Sequence, residues 1–165
     1  MTKEIKLTGG KVAIVDDLWY EELNQYKWYA ARSRGGAYYA RRNELDHTTN
    51  KIQIVSMHRV IMNTPKGMHT DHINHDTLDN REENLRVCTP SQNKCNSKKQ
   101  TNNTSGYKGV NKRGNKWIAR IRVENDRIYL GRFQTPEEAY RAYVSASKRL
   151  HGEYANLGVV GYDVQ

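Results

Sequence analysis

The sequence predicts an α+β chain with three parts in series. A small β-rich segment comes first, then a strand–loop–strand–helix module, then a three-stranded antiparallel sheet packed on one helix. Three observations carry that reading. Short apolar or aromatic runs bounded by turn residues recur at both ends of the chain. A loop rich in Asn and Asp runs into the helix start Thr89-Pro90-Ser91-Gln92. A second helix start, Thr135-Pro136-Glu137-Glu138, follows two strands of alternating polarity. The expected boundaries are 1–56 for the β-rich scaffold, 57–100 for the module around the loop, 101–105 for a linker and 106–165 for the sheet-and-helix domain.

Within residues 1–56, Lys11-Val12-Ala13-Ile14-Val15 is a short apolar strand. It ends at Asp16-Asp17, which cap a brief helix through Leu18, Trp19 and Leu23. Tyr26 to Arg32 and Ala37 to Arg42 are aromatic-rich runs separated by Arg34-Gly35-Gly36, a hairpin signal. Lys51-Ile52-Gln53-Ile54-Val55 follows the Thr48-Thr49-Asn50 turn as a further strand. Arg32, Arg34, Arg41 and Arg42 stand either on a solvated hairpin rim or within reach of phosphate. Ser56 to Met62 reads as a short helix, and Asn63-Thr64-Pro65-Lys66-Gly67 as the turn leading to the next strand. His58, in that helix, reads as a packed or hydrogen-bonded residue rather than a ligand.

The chemically dense stretch is His69-Thr70-Asp71-His72-Ile73-Asn74-His75-Asp76. Leu78-Asp79-Asn80-Arg81-Glu82-Glu83-Asn84-Leu85-Arg86 follows, then Ser91-Gln92-Asn93. With Thr89 as N-cap, Pro90 at the first helical position and Gln92 closing a capping box, Asn93 falls in the first helical turns. Strand, loop, short strand and helix then bring Asp71, His72 and Asn93 together, although Asn93 is 22 residues beyond Asp71. Asp71 and Asn93 offer hard oxygen donors, which suit Mg2+ or Mn2+ better than zinc. His72 has the intrinsic basicity to take a proton from an attacking water near neutral pH. As strand neighbours, Asp71 and His72 point to opposite sides, so one can hold an ion behind a phosphate while the other reaches a water in front. The chemistry these residue types suggest is metal-assisted hydrolysis of a phosphodiester.

This constellation resembles the HNH (ββα-metal) nuclease motif in the form found in phage and intron-type homing endonucleases. The matching residues are Asp71-His72, Asn84 twelve positions after His72, and Asn93 nine positions after that. The segment Leu78 to Arg86 also resembles the family's connecting segment. The resemblance implies His72 as general base, Asp71 and Asn93 as metal ligands, and Asn84 as the residue that pins the loop and orients the base. The third motif position is Asn rather than the His of many relatives, which fits the homing-type subset and argues against zinc.

From Ser97 to Ser105 the composition turns to Lys, Asn, Gln and Thr, with no large apolar residue, as in a linker. Beyond it, Tyr107-Lys108-Gly109-Val110 reads as a first strand. In Lys116 to Val123, Trp117, Ala119, Ile121 and Val123 share one face, and Lys116, Ile118, Arg120 and Arg122 the other. After the Glu124-Asn125-Asp126 turn, Ile128 and Leu130 are expected inward, with Arg127 and Tyr129 outward. The helix from Thr135 to about Leu150 sets Ala139, Ala142, Tyr143, Ala146 and Leu150 on one stripe. Such a sheet covers its apolar face with the helix and leaves a cationic face able to enter a DNA major groove. The region resembles the AP2/ERF DNA-binding domain in Tyr107-Lys108-Gly109-Val110, Lys116 to Arg122, Tyr129-Leu130-Gly131-Arg132-Phe133 and Thr135 to Tyr143. The resemblance implies groove contacts from Lys108, Asn111, Arg113, Arg120, Arg122, Arg127 and Tyr129. Asn111, Arg120 and Tyr129 depart from the plant consensus, so a target base sequence does not transfer with it.

Composition supports a polyanionic partner. The net charge is +9 with a sequence pI near 9.6. Its placement is uneven: Lys and Arg number 14 against 12 acidic residues in 1–96, but 13 against 6 in 97–165. No apolar run reaches membrane-spanning length, and Met1-Thr2-Lys3-Glu4 lacks the apolar core of a signal peptide. Two cysteines, Cys88 and Cys95, are too few for a disulfide framework and are expected as free thiols in a reducing cytosol. The sequence therefore reads as a Mg2+- or Mn2+-dependent, site-directed endonuclease of free-standing homing type. It would act as a monomer on double-stranded DNA in the cytoplasm of a bacterial host, leaving 5′-phosphate and 3′-hydroxyl ends. The rival from another class is a non-catalytic DNA-binding regulator.

Overall fold

The computed structural model describes residues 1–99 and 102–158. Thr101, in the expected linker, and residues 159–165 of the expected C-terminal domain lie outside the described residues. The architecture is α+β, as expected, in two compact units: Met1–Thr89 and Pro90–Gln165.

The first unit opens with an antiparallel pair, β1 (Thr2–Lys6) and β2 (Val12–Asp16), in which Ile5 lies opposite Ala13. Helix α1 (Asp17–Leu23) follows. A three-stranded antiparallel sheet then forms in the order β3 (Tyr29–Arg32), β4 (Tyr38–Asp46), β5 (Lys51–Ser56). The Gly-Gly hairpin joins β3 to β4, and Asn50, at φ 51°, makes the turn to β5. Helix α2 (Met57–Ile61) leads to β6 (His69–His72), which pairs with β7 (Leu85–Cys88). One apolar cluster unites these pieces: Ile5, Leu7, Ala13, Val15, Leu23, Trp28, Ala40, Met57, Ile61 and Leu85. Trp28 is its largest member, and its indole N–H donates to the Leu23 carbonyl at 2.7 Å. Truncating such a residue to Ala costs roughly 3–5 kcal/mol.

Two expectations change here. Strand β1 is absent from the sequence reading, because Thr2-Lys3-Glu4-Ile5-Lys6 offers one apolar residue and no alternation; β2 supplies the pairing that makes it a strand. Asp16 sits at the N-cap of α1 but makes no side-chain capping bond. Its Oδ2 instead accepts from the Glu82 backbone N–H at 2.8 Å, at the other end of the unit's sequence.

The second unit begins with α3 (Pro90–Cys95), which starts at the proline as a Thr-Pro pair dictates. Strands β8 (Val110–Arg113), β9 (Lys116–Val123) and β10 (Asp126–Phe133) form an antiparallel sheet with β9 in the middle. Helix α4 (Pro136–His151), opened by a complete capping box between Thr135 and Glu138, packs on it through Ala139, Tyr140, Tyr143, Val144 and Ala146. The first strand starts at Val110 rather than Tyr107. Gly109, at φ +76°, turns the chain there, and a Cβ on it would fall 2.1 Å from the Tyr143 ring, so only glycine lets the helix approach this closely. The inward stripe of α4 is also rotated from the expected one. Tyr140, Val144 and Ser147 are buried beside Ala139, Tyr143 and Ala146, while Leu150 is exposed. On β10 the register slips between Tyr129 and Gly131, and Ile128, expected inward, is exposed on this edge strand. Among the described residues, no helix is long and apolar enough to cross a membrane.

Candidate active site

The loop between β6 and β7 is held by side-chain amides and carboxylates. Asn84, 5% exposed, closes it: its Oδ1 accepts from the Asn74 N–H at 3.0 Å, and its Nδ2 donates to the Asp79 carbonyl at 2.7 Å. Asn74 turns the chain through its Oδ1, which accepts from the Asp76 N–H at 2.8 Å, and its Nδ2 donates to Asp79 Oδ2 at 2.9 Å. His75 takes a positive φ of 65° at the tip. Arg81 clamps Asp79 through Nε and Nη2, both at 2.8 Å, and that pairing holds the Asp79 carboxyl below its usual range. Strand β2 staples the loop to the scaffold, with Ile14 N–H to Leu78 C=O at 2.9 Å and Asn80 N–H to Ile14 C=O at 2.7 Å.

On β6, Asp71 and His72 are both buried, at 7% and 4% exposure. Asp71 lies opposite Arg86 in the strand register, and Arg86 donates to its Oδ2 through Nε at 3.0 Å and Nη2 at 2.8 Å. His72 points the other way, as alternation requires. Its ring lies 5.1 Å from that of His58 and 6.0 Å from that of Tyr39. Its Nε2 is 3.3 Å from Asn80 Oδ1. Asn80 is fully buried and uses its Nδ2 to donate to the Leu78 carbonyl at 3.1 Å, so its oxygen is the atom that faces the imidazole. In a neutral ring the proton then sits on Nε2, and Nδ1 is the basic nitrogen. Burial pulls the His72 pKa below its ordinary 6.5, and the bond to Asn80 opposes the shift. His58 is driven further, to about 3, by burial first and then by His72, Arg59 and Arg41.

Asn93 occupies the middle of α3, so the structure places Asp71, His72 and Asn84 in the first unit and Asn93 on the first element of the second. Among the described residues there is no cluster of three or more His, Cys, Asp and Glu side chains with metal-binding geometry.

In the second unit, register gathers the expected binding residues on the sheet face away from α4. Arg122 lies opposite Arg127, Arg120 opposite Tyr129, and Asn111 opposite Ile118. Asn111, Arg113, Arg122, Arg127 and Tyr129 are exposed, and Arg120 is half-buried. A cleft of about 630 Å3 is lined by Lys94, Lys98 and Lys99 together with Asn111, Arg120, Arg122 and Arg127 of the sheet and Tyr143 and His151 of α4. Lys108 also lines it but is tied down: its ammonium donates to the carbonyls of Cys95 at 2.9 Å and Ser97 at 2.7 Å, closing the end of α3. Burial lowers its pKa to about 8.

Comparison with known proteins follows these two regions. The HNH_3 family model, described as HNH endonuclease, matches residues 57–95, the span from α2 through α3. An uncharacterized HNH endonuclease of Acanthamoeba polyphaga mimivirus is 28% identical over 139 residues, covering 81% of this chain and 67% of its own. Protein 3.8 of Escherichia phage T7 is 31% identical over 95 residues, 56% of this chain and 78% of that one. The chain belongs to the HNH endonuclease family. It also carries partial similarity to AP2/ERF DNA-binding domains: an ethylene-responsive transcription factor of Arabidopsis thaliana is 45% identical over 63 residues, 36% of this chain and 32% of the plant protein. The chain thus spans about a third of that plant relative. No solved structure matches it.

Several residues of this HNH site were not singled out from the sequence. Asn80 and Arg86 lie within the connecting segment, but their partners, His72 and Asp71, become visible only once β6 and β7 are paired. Tyr39 comes from β4, far from the motif, and nothing local marks it.

Proposed function

We propose that this HNH protein is a divalent-metal-dependent, site-directed endonuclease that hydrolyses a phosphodiester of double-stranded DNA. The observation that carries the reading is the buried Asp71–His72 pair, in which Asn80 sets the tautomer of the imidazole. In this mechanism His72 Nδ1 takes the proton of the attacking water, and burial, which lowers the pKa of the ring, favours its uncharged form. Asn84 and Asn74 fix the loop that carries Asn80, and so act as positioning residues. Arg86 orients the Asp71 carboxylate from across the strand pair. Asp71 and Asn93 would be the residues to hold a divalent ion, and their oxygens, one carboxylate and one carboxamide, suit Mg2+ or Mn2+. Such an ion would supply Lewis-acid stabilisation of the charge that develops on the phosphate and on the leaving 3′ oxygen. The ends produced are 5′-phosphate and 3′-hydroxyl. One site in a monomer cuts one strand at a time.

Binding is assigned to the second unit. Arg122 and Arg127 directly oppose each other across two strands, a like-charge pair that destabilises a sheet unless an anion lies between them. Asn111, Arg113, Arg120, Arg122, Arg127 and Tyr129 would meet the groove, Lys94, Lys98 and Lys99 the backbone, and Lys108 would hold the cleft wall in place. The similarity to plant transcription factors favours a second reading, a DNA-binding regulator without catalysis, in which the HNH domain is scaffold only. Calorimetric titration of the full-length protein with Mn2+ separates the two. Asp71→Ala and Asn93→Ala should each weaken binding; affinities equal to wild type would remove both residues from the ligand set.

A further inference from the structure

We propose that Arg41, on β4 and outside the 57–95 match, is a phosphate-binding residue of the nuclease site; the assignment rests on the endonuclease reading above. Arg41 lies opposite Ser56 in the sheet register, and Ser56 directly precedes α2, the helix that carries His58. Its guanidinium carbon is 5.6 Å from the centre of the Tyr39 ring. That same ring packs edge-on against His58 at 5.7 Å and His72 at 6.0 Å. Arg41 therefore stands beside the imidazole pair, separated from it by one shared aromatic ring.

Its hydrogen bonding is incomplete. The Nε–H of Arg41 is sealed from solvent and has no partner. A buried donor left unmade destabilises the fold, and a ligand that arrives to accept from it removes that cost. The other arginines around the site are committed. Arg42, whose Nε also lacks a partner, pairs with Glu44 at 2.8 Å and stacks on Tyr26. Arg59 donates to the Met68 and Thr64 carbonyls, Arg81 pairs with Asp79, and Arg86 with Asp71. Arg32 and Arg34 are exposed toward the hairpin turn. Among the described residues, no carboxylate pairs with Arg41.

Charge balance points the same way. His58 is kept uncharged by burial, and Asp71 already has Arg86 as its counter-ion. Arg41 is thus a cation without an anion beside a site that must receive one. A guanidinium presents parallel N–H donors that match two oxygens of a phosphate, which an ammonium cannot do. Arg41 would hold non-bridging oxygens of the phosphate being cut.

The test uses the full chain with supercoiled plasmid and Mg2+ under single-turnover conditions. Arg41→Met should cut about a hundredfold more slowly with a melting temperature no lower than wild type, Arg41→Lys should recover part of the rate, and Arg34→Met should match wild type. Independently of activity, the Arg41 Nε–H resonance should move when a short DNA duplex is added in EDTA. Arg41→Met cutting within about threefold of wild type, or an Arg41 resonance that ignores the duplex, would overturn the assignment. If Arg41→Met melts early, the Arg41→Lys rate and the resonance decide. If wild type cuts nothing, the endonuclease reading fails, and the resonance alone still supports or overturns phosphate binding by Arg41.

Discussion

The two functional regions are built on opposite physical plans. In the first unit the groups assigned to chemistry are nearly all sealed from water, each fixed by a neighbour: Asp71 by Arg86, His72 by Asn80, the loop by Asn84. In the second unit most of the groups assigned to binding stand in solvent on one face of a sheet, with Arg120 half-buried and Lys108 held by two carbonyls as the exceptions. Hydrolysis needs one imidazole in one tautomer and one orientation, which burial and hydrogen bonds enforce. Attraction to a polyanion needs only summed charge, which exposed side chains supply at little cost in folding. Single substitutions should therefore act steeply in the first region and shallowly in the second.

The steepest effect expected is on catalysis. His72→Ala should lower the single-turnover cleavage rate by about 10²–10⁴-fold while DNA affinity in EDTA changes little. Comparable cleavage by the variant would take His72 out of the mechanism and erase the contrast between the regions.

Asn84→Ala should act next, through stability and positioning together. It strands the Asn74 N–H and the Asp79 carbonyl, and should lower unfolding free energy by on the order of 3 kcal/mol, read from the denaturant midpoint. A midpoint equal to wild type would mean that the loop does not depend on Asn84.

The third effect is on pH. The unfolded chain protonates His58 near its ordinary 6.5, whereas the folded protein resists until about 3. The unfolded state therefore binds more protons in that window, and stability should fall as pH drops below 6.5, by up to about 1.4 kcal/mol per pH unit. His58→Phe should flatten this limb, since no hydrogen bond to Nδ1 is lost. An acid limb unchanged in His58→Phe would show that His58 is not the group responsible.

The smallest effect belongs to the sheet. Arg122→Ala should weaken DNA binding modestly and lower the slope of log affinity against log salt by about one. An unchanged slope would place Arg122 away from phosphate.

Legibility in the sequence followed the reach of each interaction. The α4 start was readable because Thr135 and Glu138 satisfy each other three residues apart. The closure of the β6–β7 loop was readable because Asn74, Asp79 and Asn84 meet within that one loop, whereas Asn93 lies on α3 in the second unit. Partners from distant elements were not: Asp16 caps Glu82 rather than its own helix, and Tyr39 packs on His72 from another sheet. The stripe of α4 was misplaced by its aromatic residues. Tyr140 stacks on Tyr107 at 4.7 Å, a contact that helical spacing alone does not reveal. Strand β1 became a strand through its pairing with β2, not through its own pattern.

Incubating supercoiled plasmid with the purified full-length protein, in Mg2+ and in EDTA, addresses the central claim most directly. Nicked circles forming in Mg2+ with wild type, and absent both in EDTA and with His72→Ala, is the predicted result. Plasmid that stays supercoiled under all conditions, or is cut equally well in EDTA, would contradict it.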